Sequence, residues 1–310
     1  MFWRKACALC GLLIGTGFAP PADAALLAGD IVVSNDGVVN HGVLRVDPDV
    51  GTVEEFAVSL EAPIGLAYGT DGHVFAVDAF DASIHRIDAD GRTVRLYVRQ
   101  RPEDYFDVAV EPSGGMLLPV LFRAGEPVVQ LLRIDPLTDE RMVIAAGGAL
   151  VPSSSIEVAP DGTIFATAFN SVLRIDPQTG AQSVVADVQD PVDITVGPNG
   201  DLFVTAGASD TARVIHIDPV TGILRVVSGG GLLEIVRGIA VEADGDILVA
   251  NRHGDRRGGD LLRIDPLTGA QSRLASVDNP FDLIVVPIPE PTSAALALAA
   301  LAPLALRRRR

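Results

Sequence analysis

One phrase returns along the chain: LLRIDPLTGAQSRLA at 261–275 is nearly VLRIDPQTGAQSVVA at 172–186 and LLRIDPLTDERMVIA at 131–145. Its aspartates, Asp47, Asp88, Asp135, Asp176, Asp218 and Asp265, follow one another at spacings of 41, 47, 41, 42 and 47 residues. Six units with a period in the forties restrict the fold to an array of supersecondary units, each with about four strands. A second phrase stands between the copies, as in SIEVAPDGTIFATA at 155–168, VDITVGPNGDLFVTA at 192–206 and RGIAVEADGDILVAN at 237–251. Each phrase reads as strand, tight turn, strand. In RIDPLTG the aspartate starts the turn, proline presets φ, and glycine takes the left-handed conformation of a bulged hairpin. The flanking residues alternate, Leu262 and Ile264 apolar against Arg263 and Asp265 polar, as in a half-buried strand. The repeated aspartates are therefore read as turn caps, not as catalytic groups.

Each unit then carries strands A to D, with GIAV, ILVAN, LLRID and AQSRLA as the type example. Before Asp47 only B, C and D are present, starting AGDIVVSND at 28–36, and NPFDLIVVP at 279–287 is left over after the last D. The orphan supplies strand A of the first unit. The predicted fold is all-β, a six-bladed propeller of four-stranded blades whose ring closes between the chain ends and leaves no open sheet edge. The sequence over roughly 28–286 resembles the six-bladed NHL-repeat, gluconolactonase-like and streptogramin-lyase-like propellers. That group hosts binding modules, lactonases and lyases alike, so the resemblance implies a fold more than an activity. The only tryptophan, Trp3, lies outside the repeats, which speaks against WD-repeat, Kelch and quinoprotein propellers.

The two ends differ from the repeats. Arg4 and Lys5 precede an apolar stretch, and Ala22–Ala24 (ADA) offers small residues for cleavage, the layout of a secretory signal over 1–24. Both cysteines, Cys7 and Cys10, and the only lysine, Lys5, lie in it. The mature chain then lacks disulfides, cysteine nucleophiles and Schiff-base lysines. After residue 286 come Pro289, Glu290 and Pro291, an uncharged and mostly apolar run to Leu306, and Arg307, Arg308, Arg309 and Arg310. As a helix that run rises only about 20 Å, short of a roughly 30 Å hydrocarbon core, and the arginines belong on the cytoplasmic side. The tail over 287–310 resembles the PEP-CTERM sorting signal of Gram-negative bacteria. That resemblance implies an exosortase-type enzyme as partner, transient membrane association, and delivery to the envelope, cell surface or extracellular matrix. The mature N-terminus near Ala25 and the departing Pro287 are expected side by side, on the face of the short turns.

Without 1–24 and the four terminal arginines, basic residues fall from 24 to 18 and acidic ones from 40 to 39, a net −21. Such a body does not neutralise phosphates, which argues against nucleic acid. It fits an exterior protein or one that handles cations or neutral ligands.

In an A-B-C-D blade the A–B and C–D turns share one face, the turn face. The longer, more variable B–C and D–A loops share the other, the loop face, where binding usually resides. At one aligned position near the start of strand A the blades carry Asp282, Gly65, Asp107, Ser155, Asp193 and Gly238 in order. Carboxylates on alternate blades would point into the channel, with Asn35, Asp78 and Asn251 at the ends of strands B supplying further oxygens. An all-oxygen ring of Asp107, Asp193 and Asp282 suits calcium or another hard divalent cation. The alternative is that these residues bond backbone or water. The gluconolactonase-like resemblance implies a metal here, but its inner-strand glutamate has no evident counterpart. In the B–C loop NRHGDRRGGD, Arg252 is a candidate ligand contact and His253 a candidate general base for a lyase. Tyr105 is a candidate sugar-stacking ring, while His73, His85 and His216 are read as core or surface residues. The preferred reading is a propeller binding a polysaccharide, protein or small molecule; the alternative is a metal-dependent lactonase or lyase at the channel mouth.

Overall fold

The computed structural model describes residues 25–37, 41–80, 82–98, 103–122, 128–150, 155–254 and 258–288. These form six antiparallel sheets around a central channel, and the one helical element among them is the single turn Ser209–Thr211. No helix among the described residues is long and apolar enough to cross a membrane. The chain is a six-bladed β-propeller.

Counting strands A to D outward from the channel, blade 1 joins Pro280–Val285 to Ile31–Asp36, His41–Val46 and Val53–Ala57. Blade 2 is Pro63–Tyr68, Val74–Asp78, Ser83–Ile87 and Thr93–Val98. In blade 3 strand A is split into Glu103–Tyr105 and Ala109–Val110, before Met116–Phe122, Val128–Ile134 and Arg141–Ala146. Blade 4 is Ile156–Val158, Ile164–Ala168, Ser171–Ile175 and Gln182–Asp187, and blade 5 Pro191–Val196, Leu202–Ala206, Arg213–Ile217 and Leu224–Gly229. Blade 6 is Ile235–Val241, Ile247–Arg252, Gly259–Ile264 and Gln271–Val277.

The ring closes as the repeat count requires. Ile31 pairs with Val285, Val32 with Ile284 and Val33 with Leu283, and Val286 N–H donates to Asp30 O at 2.8 Å. The two chain ends thus meet in one blade. Apolar residues of strands B and C are buried on both sheet faces because each blade is sandwiched between two others. Phe165 and Val172 of blade 4, for example, cluster with Val204 and Ile215 of blade 5.

The repeated phrase does two things. Its aspartates accept the N–H groups of the turn: Asp265 Oδ1 takes those of Leu267 and Thr268, and Asp176 those of Gln178 and Thr179. These donors hold the exposed Asp176 and Asp265 carboxyls below their ordinary pKa. The same phrase also fastens neighbouring blades. Arg133 donates to the Pro177 carbonyl, Arg174 to that of Pro219 and Arg263 to that of Pro48, so the arginine of one unit reaches the proline of the next. In blade 5, where His216 replaces the arginine, Arg225 of strand D reaches Pro266 O instead. The glycine of the phrase lies against strand D of the preceding blade. A Cβ on Gly180, whose φ is +68°, would sit 2.0 Å from Ile144 O.

Removing 279–310 leaves Ile31–Asp36 as an open inner edge. That truncation is expected to melt far below a chain ending at residue 292, and equal melting temperatures would contradict the closure. Leu283, 1 % exposed, is expected to cost about 2–5 kcal/mol as Leu283→Ala in denaturant titration. Gly180→Ala combines a positive φ with a backbone collision and should also destabilise, by more than about 1 kcal/mol.

Candidate functional site

In four blades strand A meets strand B with an irregularity near the aligned position, and in blade 3 strand A is interrupted there. The register shifts between Val33 and Asn35, Pro63 and Gly65, Pro191 and Asp193, and Val236 and Ile239. A bulge of this kind turns one residue out of the ladder and re-aims its side chain and the following amide. Buried hydroxyls of strand B support it: Ser34, Thr167 and Thr205 accept the N–H of Asp282, Ser155 and Asp193. The following amide then needs an acceptor, because an unpaired buried N–H costs about 1–3 kcal/mol.

Three carboxylates supply all six acceptors. Asp282 Oδ1 takes Leu283 N–H at 2.7 Å and its Oδ2 takes Leu66 N–H of blade 2 at 2.7 Å. Asp107 does the same for Val108 and for Ile156 of blade 4, at 2.8 and 2.9 Å. Asp193 serves Ile194 and Ile239 of blade 6, at 2.8 and 2.7 Å. Each aspartate therefore bridges its own blade to the next. On the other three blades the aligned residue must be small, since the neighbour's carboxylate fills its place. A Cβ on Gly65 would lie 2.6 Å from Asp107 Oδ1, and one on Gly238 2.7 Å from Asp282 Cα. Ser155 keeps its side chain by donating its hydroxyl to Asp193. Asp, Gly, Asp, Ser, Asp, Gly is thus one hydrogen-bonded ring.

The ring divides the channel. On the turn side a cavity of about 310 Å³ runs down to Pro287 and contains Glu157. On the loop side a vestibule of about 250 Å³ is walled by the residues just before the ring positions: Ile64, Phe106, Val192, Arg237 and Phe281. The Arg237 guanidinium carbon lies 4.8 Å from the Phe281 ring centroid, a cation–π contact. Asp193, Asp282 and Glu157 line the lumen and are half-buried. Burial first, then repulsion from Asp193, pushes the carboxyls of Asp107 and Asp282 well above the ordinary range. Asp193 is raised to about 6 by burial, against the hydrogen bonds from Ser155, Ile239 and Ile194. Glu157 is raised to about 8, by burial and then by Asp193.

Glu157 is an acidic residue of the inner strands that sequence reasoning passed over. Aligning SIEVAP with DITVGP places it level with Thr195, and only the ring geometry shows that this level faces the lumen. For a cation the arrangement is specific. Among the described residues, the one acidic trio whose donor atoms all lie within 4.8 Å of one another is Glu242, Asp244 and Asp246, in the A–B turn of blade 6. The Asp107, Asp193 and Asp282 carboxylates do not form such a trio. In the blade 6 trio, Arg263 holds both Glu242 oxygens, at 2.6 and 2.7 Å.

The other expected site residues have structural partners. Asp78 is buried and accepts the N–H groups of Glu61, Ala62 and Phe80, while Asn251 accepts that of Glu234 and donates to Leu232 O. Asn35 accepts Asn279 N–H in the same manner. These residues fasten the D–A loops. Arg252 is half-buried and electrostatically engaged with Asp36. His253 lies 2.9 Å from Asp260, whose buried carboxylate also accepts from Arg273 and Ser276; residues 255–257 of this loop lie outside the described residues. Tyr105 is not a stacking surface: it is 4 % exposed and its hydroxyl donates to Glu103. Instead Phe80 and Phe169, in the B–C turns of blades 2 and 4, stand 70 % and 75 % exposed on the loop face. His85 is buried beside Ser83, His216 pairs with Asp201, and His73 lies near Asp71 and Asp88.

No family model and no curated protein matches the sequence. Solved structures do match. The chain is similar to one from a nidogen/laminin complex, with a TM-score of 0.66 and 14 % identity over 83 % of this chain and 98 % of that one. TolB from Acinetobacter baumannii gives 0.67 and 14 %, over 84 % of this chain and 67 % of its own. A streptogramin B lyase gives 0.53 and 19 %, over 71 % of each. At these identities the likeness is one of fold.

The raised carboxyls make stability pH-dependent with a definite sign. The native state holds protons that the unfolded chain has lost, so this stability is complete below pH 4 and is lost through pH 6 for Asp193 and through pH 8 for Glu157. Glu157→Gln is expected to match the parent's melting temperature at pH 5 and to exceed it at pH 9. Parallel melting curves for the two proteins across that range would count against this assignment.

Proposed function

We propose that this chain is an exported, surface-directed binding module. In this reading it engages a ligand or partner through the loop face in the envelope or extracellular polysaccharide matrix of a Gram-negative bacterium. One observation carries the binding role: the aspartates of the channel are committed to holding the blades, while the loop face above them offers an aromatic-walled vestibule and two exposed phenylalanines. Aromatic faces of this kind suit the apolar faces of sugars and side chains. The export and surface address rest on the likeness of residues 1–24 to a signal peptide and of Pro289, Glu290, Pro291 and Arg307–Arg310 to a PEP-CTERM tail. Both segments lie outside the described residues. An exosortase-type enzyme is the processing partner of this reading. With Pro287 leaving by the turn face, a tail held in the membrane turns the loop face outward.

The second reading, a metal-dependent lactonase or lyase, is favoured by Glu157, which adds a fourth carboxylate to the channel and has its pKa raised towards that of a general base. Calcium or a similar cation would serve it. The two readings separate in one set of measurements on the mature chain. The binding module should keep its melting temperature in chelator, turn over neither lactones nor streptogramin-type lactone rings, and bind exopolysaccharide. Phe80→Ala combined with Phe169→Ala should weaken that binding about tenfold, the loss for two contacts of about 0.7 kcal/mol each. Turnover that disappears with Glu157→Gln, together with a chelator-sensitive melting curve, would establish the enzyme instead.

A further inference from the structure

The rim of the turn face carries a feature that ligand binding on the opposite face does not use. Five C–D hairpins end in the same turn, closed by an N–H donating to the aspartate carbonyl: Gly51 to Asp47, Asp139 to Asp135, Gly180 to Asp176, Gly222 to Asp218 and Gly269 to Asp265, all at 2.9 or 2.8 Å. Because each aspartate side chain folds back onto the turn's own amides, the side chains that project are those in the middle of the turn. Leu137, Leu267 and Val220 there are 92 %, 90 % and 87 % exposed, and Val50 is 70 % exposed. Blade 2 lacks the proline turn, but Leu26 donates to Ala89 O at that place and sets the exposed Leu27 beside it. Blade 4 has the polar Gln178 at this place, and blade 1 has the exposed Asp49 there with Val50 next to it.

Single exposed aliphatics are ordinary. Here the repeat places them on one turn type, at the ends of hairpins of matched register, around one face. Projecting tips of one turn type set around one face suit a broad surface as partner. The chain's own exit names that partner. Pro287 leaves at the centre of this face, and the apolar run starts after residue 291. The five residues 287–291 span at most about 18 Å. Wherever that run enters hydrocarbon, the rim is drawn against the same surface.

We propose that the turn face is a bilayer-docking surface, with Val50, Leu137, Val220 and Leu267 seated in the interfacial layer of the membrane. This rests on the reading of the tail as membrane-associated. The charge selects the lipid: Asp47, Asp135, Asp176, Asp218 and Asp265 ring the same face, so zwitterionic headgroups are favoured and anionic ones repelled.

The test uses the mature chain, 25–310, which carries no cysteine of its own, reconstituted with phosphatidylcholine vesicles whose acyl chains are brominated and recovered by flotation. One fluorophore is attached in turn at Leu267→Cys, at Gln178→Cys and at Phe169→Cys. Emission should be lost at the two turn-face positions and kept at Phe169. Exchanging phosphatidylcholine for phosphatidylglycerol should restore emission at Leu267, as should serine at Val50, Leu137 and Val220. Flotation with undiminished emission at Leu267 and Gln178 overturns the docking surface while leaving the tail reading intact. Failure to float overturns both.

Discussion

The channel imposes an accounting problem on this protein. Six innermost strands present six amides at one level to the channel. Three carboxylates with two oxygens each meet that demand one for one. This stoichiometry explains why the acidic residue recurs on every other blade and not on all six. Six aspartates would double the buried charge and collide with their neighbours; three leave room only for glycine or serine between them. The cost appears as carboxyl pKa values lifted by burial and mutual repulsion, in a body already rich in negative charge.

A second belt of contacts surrounds the first. In blades 3 to 6 an arginine, Arg133, Arg174, Arg225 or Arg263, reaches the proline carbonyl of the following unit. The glycine of the phrase lets the turn press on the strand before it. The inner bonds cross the seams between blades 1 and 2, 3 and 4, and 5 and 6, the outer bonds those from blade 3 round to blade 1, and neither set is supplied by apolar packing alone. Both keep to structural duty the residues that look most like chemistry in the sequence: repeated aspartates, repeated arginines and a ring of channel acids. What stays uncommitted is the loop face, with its vestibule and exposed phenylalanines, and the aliphatic tips of the turn face. The two faces of the disc thus differ in chemistry, and the chain leaves by one of them.

Much of this was legible in advance where a local pattern repeats. The hairpin turns were readable from Asp, Pro and Gly at fixed offsets, because turn geometry is set within a few residues. Ring closure was readable from an orphan strand, because a blade short of one strand must find it elsewhere. The alternation at Asp282, Asp107 and Asp193 was visible as well, but its meaning was not. Whether those oxygens meet a cation or an amide depends on the separation of strands far apart in the chain, such as Ile239 from Asp193. Tyr105 fails as a surface ring for the same reason: its level on strand A of blade 3 points it into the core beside Glu103.

The sequence by itself determined the repeat, the strand order, the turn chemistry and the closing strand, since each follows from periodicity and from the φ preferences of single residues. Only the tertiary structure decided what the polar residues are for. Hydrogen-bond partners such as Leu66 and Asp282 are brought together by the curvature of the whole ring, and no local rule specifies where a closed circle will place them.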